Sequence, residues 1–139
     1  NKKDKKFFYQ YSTTSTSSLY KQKNIFKSLT DLKKTFQVET NKFDNLFNKN
    51  LKIDICKIDV QGEDYNVLLG MKKNLKNRNI KILKLELSLI SFYMNTSSNF
   101  YEILNFLKTY KYTLISISKI KYKNEKIIFM DAYFEYGGK

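Results

Sequence analysis

The 139-residue sequence has no histidine and no proline, and it contains a single cysteine and four glycines. Without histidine, the chain lacks the usual base for a serine or cysteine nucleophile and the commonest imidazole ligand for zinc. Cys56 cannot form a disulfide within the chain, which is typical of a reducing compartment, so we expect a cytoplasmic location. Its place in an apolar run indicates a small buried side chain and not a nucleophile.

The scarcity of glycine and of long apolar runs excludes further classes of protein. No two glycines lie in a loop of the kind that cradles phosphates, and no metal-ligand cluster is visible. No run of about 18 apolar residues is present, so no transmembrane helix is predicted. The length and the 42% hydrophobic content suit one domain or a large part of one. A first residue of Asn1, not methionine, is consistent with missing upstream sequence.

Basic residues are in large excess, since 26 lysines and arginines against 13 acidic residues give a formal net charge of +13. Such a charge could serve a nucleic-acid or anionic-lipid surface. Only Arg78 is an arginine, although proteins that read bases or clamp phosphates favour arginine for bidentate contacts. Lysine and asparagine are frequent, so a coding bias is the favoured interpretation, and the binding interpretation stays open.

Hydrophobic spacing predicts alternating strands and helices from residue 35 onward. The near-continuous apolar run over Leu51–Val60 indicates a central strand covered on both faces. The stripe of Val67, Leu68, Met71 and Leu75 predicts one helix over 63–76. The other predicted elements are strands over Phe7–Tyr11 and Thr35–Glu39, a helix over Asn41–Asn50, a strand over Ile80–Leu89, a helix over Asn99–Tyr110, and strands over Tyr112–Ile120 and Lys126–Tyr136.

This order predicts an α/β fold with a mostly parallel sheet, right-handed crossovers and helices on both faces. The polar turn over 121–125 makes the last two strands antiparallel, so the sheet gains a terminal antiparallel strand. Residues 1–34, with the Ser/Thr run over 12–18, are predicted to be a loop-rich upstream segment of the same domain.

One block of residues resembles a known family. Residues 57–62 read Lys-Ile-Asp-Val-Gln-Gly, and Asp64 and the Val-Leu-Leu-Gly of residues 67–70 follow. This resembles the block K-I-D-V-[E/Q]-G, acidic residue, V-L-x-G of FkbM-type methyltransferases, with Asp64 where the family usually has Glu. Weaker resemblances extend over roughly residues 12–136, at Ser17–Leu19, Val38–Asp44, Leu85–Ser88, Phe106–Tyr112, where Lys111 replaces a glycine, and Asp131–Phe134.

The resemblance implies that residues 35–139 are the C-terminal half of a class I methyltransferase domain with a Rossmann-like sheet. The N-terminal half, which carries the glycine-rich turn that grips the cofactor, would be missing, and the fragment would be inactive alone. The intact protein would use S-adenosylmethionine to methylate a hydroxyl of a small molecule or glycan. No specific nucleic-acid partner is expected, and the sequence does not indicate an oligomeric state.

Two carboxylates are the candidate catalytic groups, since Asp59 ends the best central strand and Glu86 lies at the matching end of the next one. Ligands of open α/β sheets bind outside these carboxyl ends, and a carboxylate there can take a proton from a hydroxyl. By resemblance, Asp59, Gln61 and Gly62 contact the cofactor. Asp44 and Asp131 are interpreted as structural. The alternatives are a basic nucleic-acid-binding module whose aromatic residues stack on bases, and a non-catalytic remnant of the fold.

Overall fold

The computed structural model describes residues 4–23, 30–47, 50–90, 92–96 and 100–137. Two strands form a separate antiparallel hairpin, in which β1 pairs with β2 from Asp4 opposite Thr40 to Tyr11 opposite Leu32. The elements follow the chain in the order β1 (Asp4–Tyr11), a 3-10 turn (Thr14–Thr16), β2 (Leu32–Thr40), α1 (Phe43–Leu46), β3 (Ile53–Ile58), α2 (Asp64–Leu69), α3 (Lys72–Lys76), β4 (Ile80–Ser88), α4 (Phe100–Thr109), β5 (Tyr112–Lys123) and β6 (Lys126–Tyr136).

The main sheet is mixed and has the strand order β3-β4-β6-β5. Strands β3 and β4 are parallel, whereas β6 is antiparallel to both of its neighbours, β4 and β5. The α/β class and the antiparallel pairing of the last two strands are therefore confirmed. Strands β3, β4 and β5 therefore run in the same direction and the terminal strand β6 is the reversed one, as expected for a mostly parallel sheet with a terminal antiparallel strand. Parallel hydrogen bonding is confined to β3 and β4, because β6 inserts between β4 and β5.

One face of this sheet carries the hydrophobic core. Alternate residues of β4 (Leu83, Leu85 and Leu87) are at most 1% exposed, and Ala132 and Phe134 of β6 pair beside them. Helices α2, α3 and α4 all contribute buried apolar residues to this same core, namely Leu68, Leu75, Ile103 and Leu107. The expectation of helices on both faces is therefore wrong for the described part of the chain, since α2, α3 and α4 all cover one face.

Strand β3 is also not the doubly covered central strand that its apolar run predicted. It pairs with β4 alone among the described strands, and Ile55 on the face away from the helices is 61% exposed. Ile58, by contrast, faces the core and is 3% exposed. An uninterrupted apolar run shows that both faces of a strand are hydrophobic, but it cannot show what covers them.

The helix predicted over 63–76 is divided into α2 and α3. The break lies at Gly70, whose carbonyl accepts the backbone N–H of Asp44 at 2.9 Å. The Asp44 carboxylate in turn accepts the N–H groups of Lys73 at 2.8 Å and Asn74 at 3.1 Å, the first residues of α3 with free donors. A tertiary contact from another segment thus ends one helix and begins the next, and Asp44 is structural, as predicted.

The other element boundaries moved by a few residues. Helix α1 covers only part of the predicted 41–50, of which 48 and 49 lie outside the described residues. The predicted helix start at Asn99 also lies outside them, and α4 follows from Phe100. Strand β5 continues to Lys123, and β6 matches its predicted bounds. Strand β1 contains the predicted strand over Phe7–Tyr11 and begins three residues earlier, whereas β2 begins at Leu32 and so crosses the expected boundary at residue 34.

Replacing Asp44 tests the contact that divides the two helices. Asp44→Ala removes the acceptor for two backbone N–H groups of α3 and for the Asn74 amide at 2.8 Å. We expect the free energy of unfolding in urea to fall by about 1 to 2 kcal/mol, the usual cost of losing a helix cap. Asp54→Ala, at an exposed position of β3, is the matched control. Equal stabilities of the two variants would contradict this role of Asp44.

Candidate functional site

The candidate site lies where the two parallel strands β3 and β4 end. Asp59 directly follows β3, and Glu86 lies two residues before the end of β4, so both carboxylates reach the same edge of the sheet. The amide of Gln61 lies between them. Its Nε2 donates to Asp59 Oδ1 at 2.8 Å and to Glu86 Oε2 at 3.3 Å. The structure thus brings three of the four predicted site residues into one hydrogen-bonded cluster, the Asp59–Gln61–Glu86 cluster.

Gln61 is held in place from its other side by two residues that sequence reasoning did not select for this role. The buried Tyr93 hydroxyl donates to Gln61 Oε1 at 2.8 Å. The Ser18 hydroxyl donates to the Gln61 backbone carbonyl at 2.7 Å. Since Oε1 accepts from Tyr93, the NH₂ group of Gln61 faces the two carboxylates. Ser18 had a sequence signal in the Ser-Ser-Leu segment, whereas Tyr93 had none.

The two carboxylates of the cluster differ in their electrostatic surroundings. Partial burial of Asp59 disfavours its ionised form, but hydrogen bonds from Lys57 at 2.8 Å and from Gln61 outweigh burial, and its pKa lies below the ordinary value. The pKa of Glu86 is raised, first by burial and then by the charge of Asp59. Paired carboxylates with opposite shifts suit different roles: Asp59 stays ionised, and Glu86 is the better proton acceptor.

The turn after β3 depends on an unusual backbone. Gln61 has a φ of 51° and Gly62 a φ of 101°, the second being a region that favours glycine. A β-carbon at Gly62 would lie 2.8 Å from Thr96 Cγ2 and 3.4 Å from Tyr93 Cδ2. The fourth predicted site residue is therefore packed closely between the turn and the segment after β4.

Asp64 at the start of α2 is a buried carboxylate next to this turn. It is 5% exposed, and its Oδ2 accepts the Gly62 N–H at 3.3 Å. Its Oδ1 is buried and has no hydrogen-bond partner in the described part of the chain. Burial raises the pKa of Asp64 to about 6. An unsatisfied buried carboxylate oxygen is costly and needs a structural or functional reason.

The β1–β2 hairpin and the segment that joins its strands pack against the same turn. Lys6 on β1 forms an ion pair with the buried Glu63 at 2.8 Å, and Asn66 donates to the other oxygen of Glu63 at 2.7 Å. An isolated bridge pairs Gln22 with Tyr93. Residues far upstream therefore form one wall of the site, which the sequence did not predict.

A cavity of about 250 Å³ opens beside the Asp59–Gln61–Glu86 cluster. Gln61, Gly62, Asp64 and Glu86 line it on the side of the turn. Three polar residues of the upstream segment also line it, namely Thr16, Gln22 and Thr30. Most of the remaining lining is apolar and consists of Leu87, Ile90, Phe92, Phe100, Ile103 and Phe129.

Two other residues considered in the sequence analysis, Asp131 and Cys56, have surroundings that indicate a structural role and not a catalytic one. Asp131 on β6 is 6% exposed and pairs with Lys84 at 2.6 Å, which supports its interpretation as structural. Cys56 is half-buried, not fully buried, and burial raises the pKa of its thiol, so it is a poor nucleophile. Within the described ranges, no three acidic or cysteine side chains are grouped as a metal site, and no helix has the length and apolar character to span a membrane.

Comparison with known proteins identifies one related family. The family model described as "Methyltransferase FkbM domain" matches residues 1–114, which include β1 to α4 and the whole Asp59–Gln61–Glu86 cluster. No curated protein and no solved structure matches the chain. The family resemblance read from the Lys57–Gly70 block is thereby confirmed, and strand β1, which lies before residue 12, also belongs to the matched region.

Gly62→Ala tests whether the turn needs glycine. We expect a loss of about 1 to 3 kcal/mol in the free energy of unfolding, because the positive φ and the close Thr96 contact both oppose a β-carbon. Gly137→Ala is the matched control, since its added β-carbon would meet Thr113 Oγ1 at an ordinary 3.5 Å. Chemical denaturation of both variants makes the comparison. Equal losses of unfolding free energy in the two variants would show that the turn does not require glycine at position 62.

Asp64→Asn tests the buried carboxylate through pH. Because the pKa of folded Asp64 is about 6 and its ordinary value is 3.8, the folded state binds this proton more tightly, and stability falls as pH rises between them. This difference corresponds to up to about 3 kcal/mol, so the variant should gain that much over the wild type between about pH 4 and about pH 7. Asp54→Asn, at an exposed position, is the control. Parallel stability curves for wild type and Asp64→Asn would contradict the burial argument.

Proposed function

The chain belongs to the FkbM methyltransferase domain family, and on that premise we propose that the Asp59–Gln61–Glu86 cluster is the site of S-adenosylmethionine-dependent methyl transfer to a substrate hydroxyl. The observation that carries the proposal is the cluster itself: two carboxylates at adjacent parallel strand ends, joined by one amide with distances of 2.8 and 3.3 Å. Strand ends of this kind are where open α/β sheets bind their ligands.

We further propose that the main sheet is the second half of a class I, Rossmann-like sheet, and that the cofactor-gripping half lies outside this sequence. The antiparallel last strand β6 supports this proposal, because a final antiparallel strand is the pattern of that class. The chain has four glycines, none in a glycine-rich cofactor turn. Within the described residues, the outer edge of β3 has no paired strand, so it could receive the other half of the sheet. On this proposal, the fragment alone is inactive.

The residues of the turn fit the cofactor's charged, methyl-bearing part. S-adenosylmethionine, when bound, supplies an electrophilic methyl group on a positively charged sulfur. Asp59 remains ionised because Lys57 and Gln61 stabilise its charge, and an ionised carboxylate suits a cationic neighbour. Gly62 shapes the turn that carries Asp59 and Gln61, because Thr96 and Tyr93 occupy the space that a β-carbon would need.

Glu86 is the proposed proton acceptor of the reaction. A hydroxyl that attacks a methyl group must lose its proton, and a carboxylate within hydrogen-bond reach can accept it. Burial and the charge of Asp59 raise the pKa of Glu86, so it takes a proton more readily than Asp59 does. Gln61 positions both carboxylates and is itself fixed by Tyr93. The acceptor is a small molecule or a glycan, and the single cysteine favours a cytoplasmic location.

The proposal is tested by following radiolabelled methyl transfer from S-adenosylmethionine to a small-molecule extract, with the full-length protein. Glu86→Gln should lower the rate by about 10²- to 10⁴-fold, the usual share of a general base, and should leave cofactor affinity nearly unchanged. Asp59→Ala should weaken cofactor binding or turnover. Glu102→Gln on the exposed side of α4 is the matched control and should behave as the wild type.

Three results would contradict the proposal. Full-length protein that does not bind S-adenosylmethionine would favour a non-catalytic remnant. Unchanged binding and turnover in Asp59→Ala would remove the site from this turn. Nucleic-acid binding that falls steeply with salt in a filter assay would favour the basic binding module instead.

A further inference from the structure

The size and the lining of the cavity beside the cluster indicate which class of methyl acceptor it can bind. Its volume is about 250 Å³, and six apolar side chains form one part of its lining: Leu87, Ile90, Phe92, Phe100, Ile103 and Phe129. An apolar cavity of about 150 Å³ holds benzene, so this one has room for a six-membered ring with a short substituent.

The polar groups of the upstream wall are already paired with one another. Thr30 Oγ1 donates to Gln22 Oε1 at 2.5 Å, and Gln22 Nε2 donates to the Thr16 carbonyl at 3.2 Å. These groups are therefore poorly placed to bind additional hydroxyls of a ligand. A sugar ring would bury several hydroxyls against apolar side chains, at a cost for each one that lacks a partner.

The acceptors of hydrogen bonds are concentrated on the side of the turn. The Glu86 carboxylate accepts from the Gln61 amide, and the Asp64 carboxylate accepts from the Gly62 N–H. Asp64 Oδ1 lacks a partner within the described ranges. Both side chains line the cavity and both are acidic, so a ligand there should bring a donor and no negative charge. Among the described residues of the lining, Lys121 is the one lysine, and its ammonium lies 5.4 Å from the centre of the Phe129 ring.

We propose that this cavity is the acceptor pocket and that the acceptor is a compact, uncharged ring compound with a hydroxyl group, a phenol or a cyclic alcohol, and not a glycan. The inference rests on the proposed function, because it takes the Asp59–Gln61–Glu86 cluster as the methyl-transfer site. The ring lies among the phenylalanine and isoleucine side chains, and its hydroxyl donates to Glu86. A highly hydroxylated acceptor meets upstream polar groups that are already paired, and an anionic acceptor meets the carboxylates of Glu86 and Asp64 on the side of the turn.

Four probes test the proposal by nuclear magnetic resonance titration of the chain at neutral pH without cofactor. The probes are 4-propylphenol, its methyl ether 4-propylanisole, 4-propylbenzoate and methyl glucoside. We expect 4-propylphenol to bind, and 4-propylanisole and 4-propylbenzoate to bind at least about tenfold more weakly, since one lacks the donor and the other carries a negative charge. Methyl glucoside should show no binding.

A pair of matched substitutions locates the bound probe. Ser88→Phe places a ring in the cavity lining at the end of β4 and should abolish 4-propylphenol binding. Ser116→Phe makes the same change at an exposed position of β5 and should leave binding unchanged. If Ser88→Phe does not fold, Phe100→Ala takes its place: the enlarged cavity should shift preference toward 4-cyclohexylphenol by at least about tenfold over 4-propylphenol.

Preferential binding of methyl glucoside or 4-propylbenzoate would overturn the proposal, as would phenol binding that neither Ser88→Phe nor Phe100→Ala alters. These outcomes are separate from failure of the proposed function. A full-length protein that binds 4-propylphenol in this cavity but does not bind S-adenosylmethionine would contradict methyl transfer. A protein that binds S-adenosylmethionine but favours methyl glucoside would contradict only the acceptor class.

Discussion

The placement of one amide, that of Gln61, determines the arrangement of the whole candidate site. Two carboxylates at neighbouring strand ends repel each other, and the Gln61 Nε2 group donates to both, at 2.8 and 3.3 Å. The amide can do so only because the backbone at Gln61 and Gly62 turns through positive φ. Tyr93 and Ser18 then hold the side chain and the carbonyl of Gln61. Backbone geometry, hydrogen bonding and charge therefore meet at this one residue.

The packing of the hydrophobic core determines where the two carboxylates of the cluster lie. Leu83, Leu85 and Leu87 fix the register of β4 against β6, and a slip of one residue would expose all three. The parallel pairing of Ile58 with Leu85 ties β3 to the same core. Glu86 lies between two of these leucines on the other face of β4, so its position follows from the packing of its neighbours. Because Leu85 and Leu87 are buried in the core, the Glu86 side chain projects from the opposite face of β4 toward the site.

Much of this arrangement could be predicted from local sequence. The Leu51–Val60 run and the alternating leucines of β4 indicated two strands, and parallel pairing then placed Asp59 and Glu86 at one edge. The family block around Gly62 indicated the same turn. Local patterns were sufficient for the backbone positions of Asp59 and Glu86, because each residue lies at the end of its own strand.

The parts that could not be predicted depend on contacts between distant segments. Asp44 divides a helix whose apolar stripe is continuous over 63–76, because it accepts backbone donors 29 and 30 residues away. Tyr93 holds Gln61 across 32 residues, and Lys6 pairs with Glu63 across 57. No periodic pattern encodes such pairings. Which elements cover the two faces of β3 also depends on other segments of the chain, and the residues of β3 do not specify them.

The unequal carboxylates follow from which neighbours each one has. Asp59 receives a hydrogen bond from Lys57, on the same strand end, and a shorter one from Gln61 than Glu86 does. Glu86 instead has burial and the charge of Asp59, both of which favour its protonated form. Lys57 and Gln61 together keep Asp59 charged, and that charge adds to the effect of burial in raising the pKa of Glu86. Two chemically similar side chains therefore differ because their burial and their hydrogen-bond donors differ, while Gln61 keeps them adjacent.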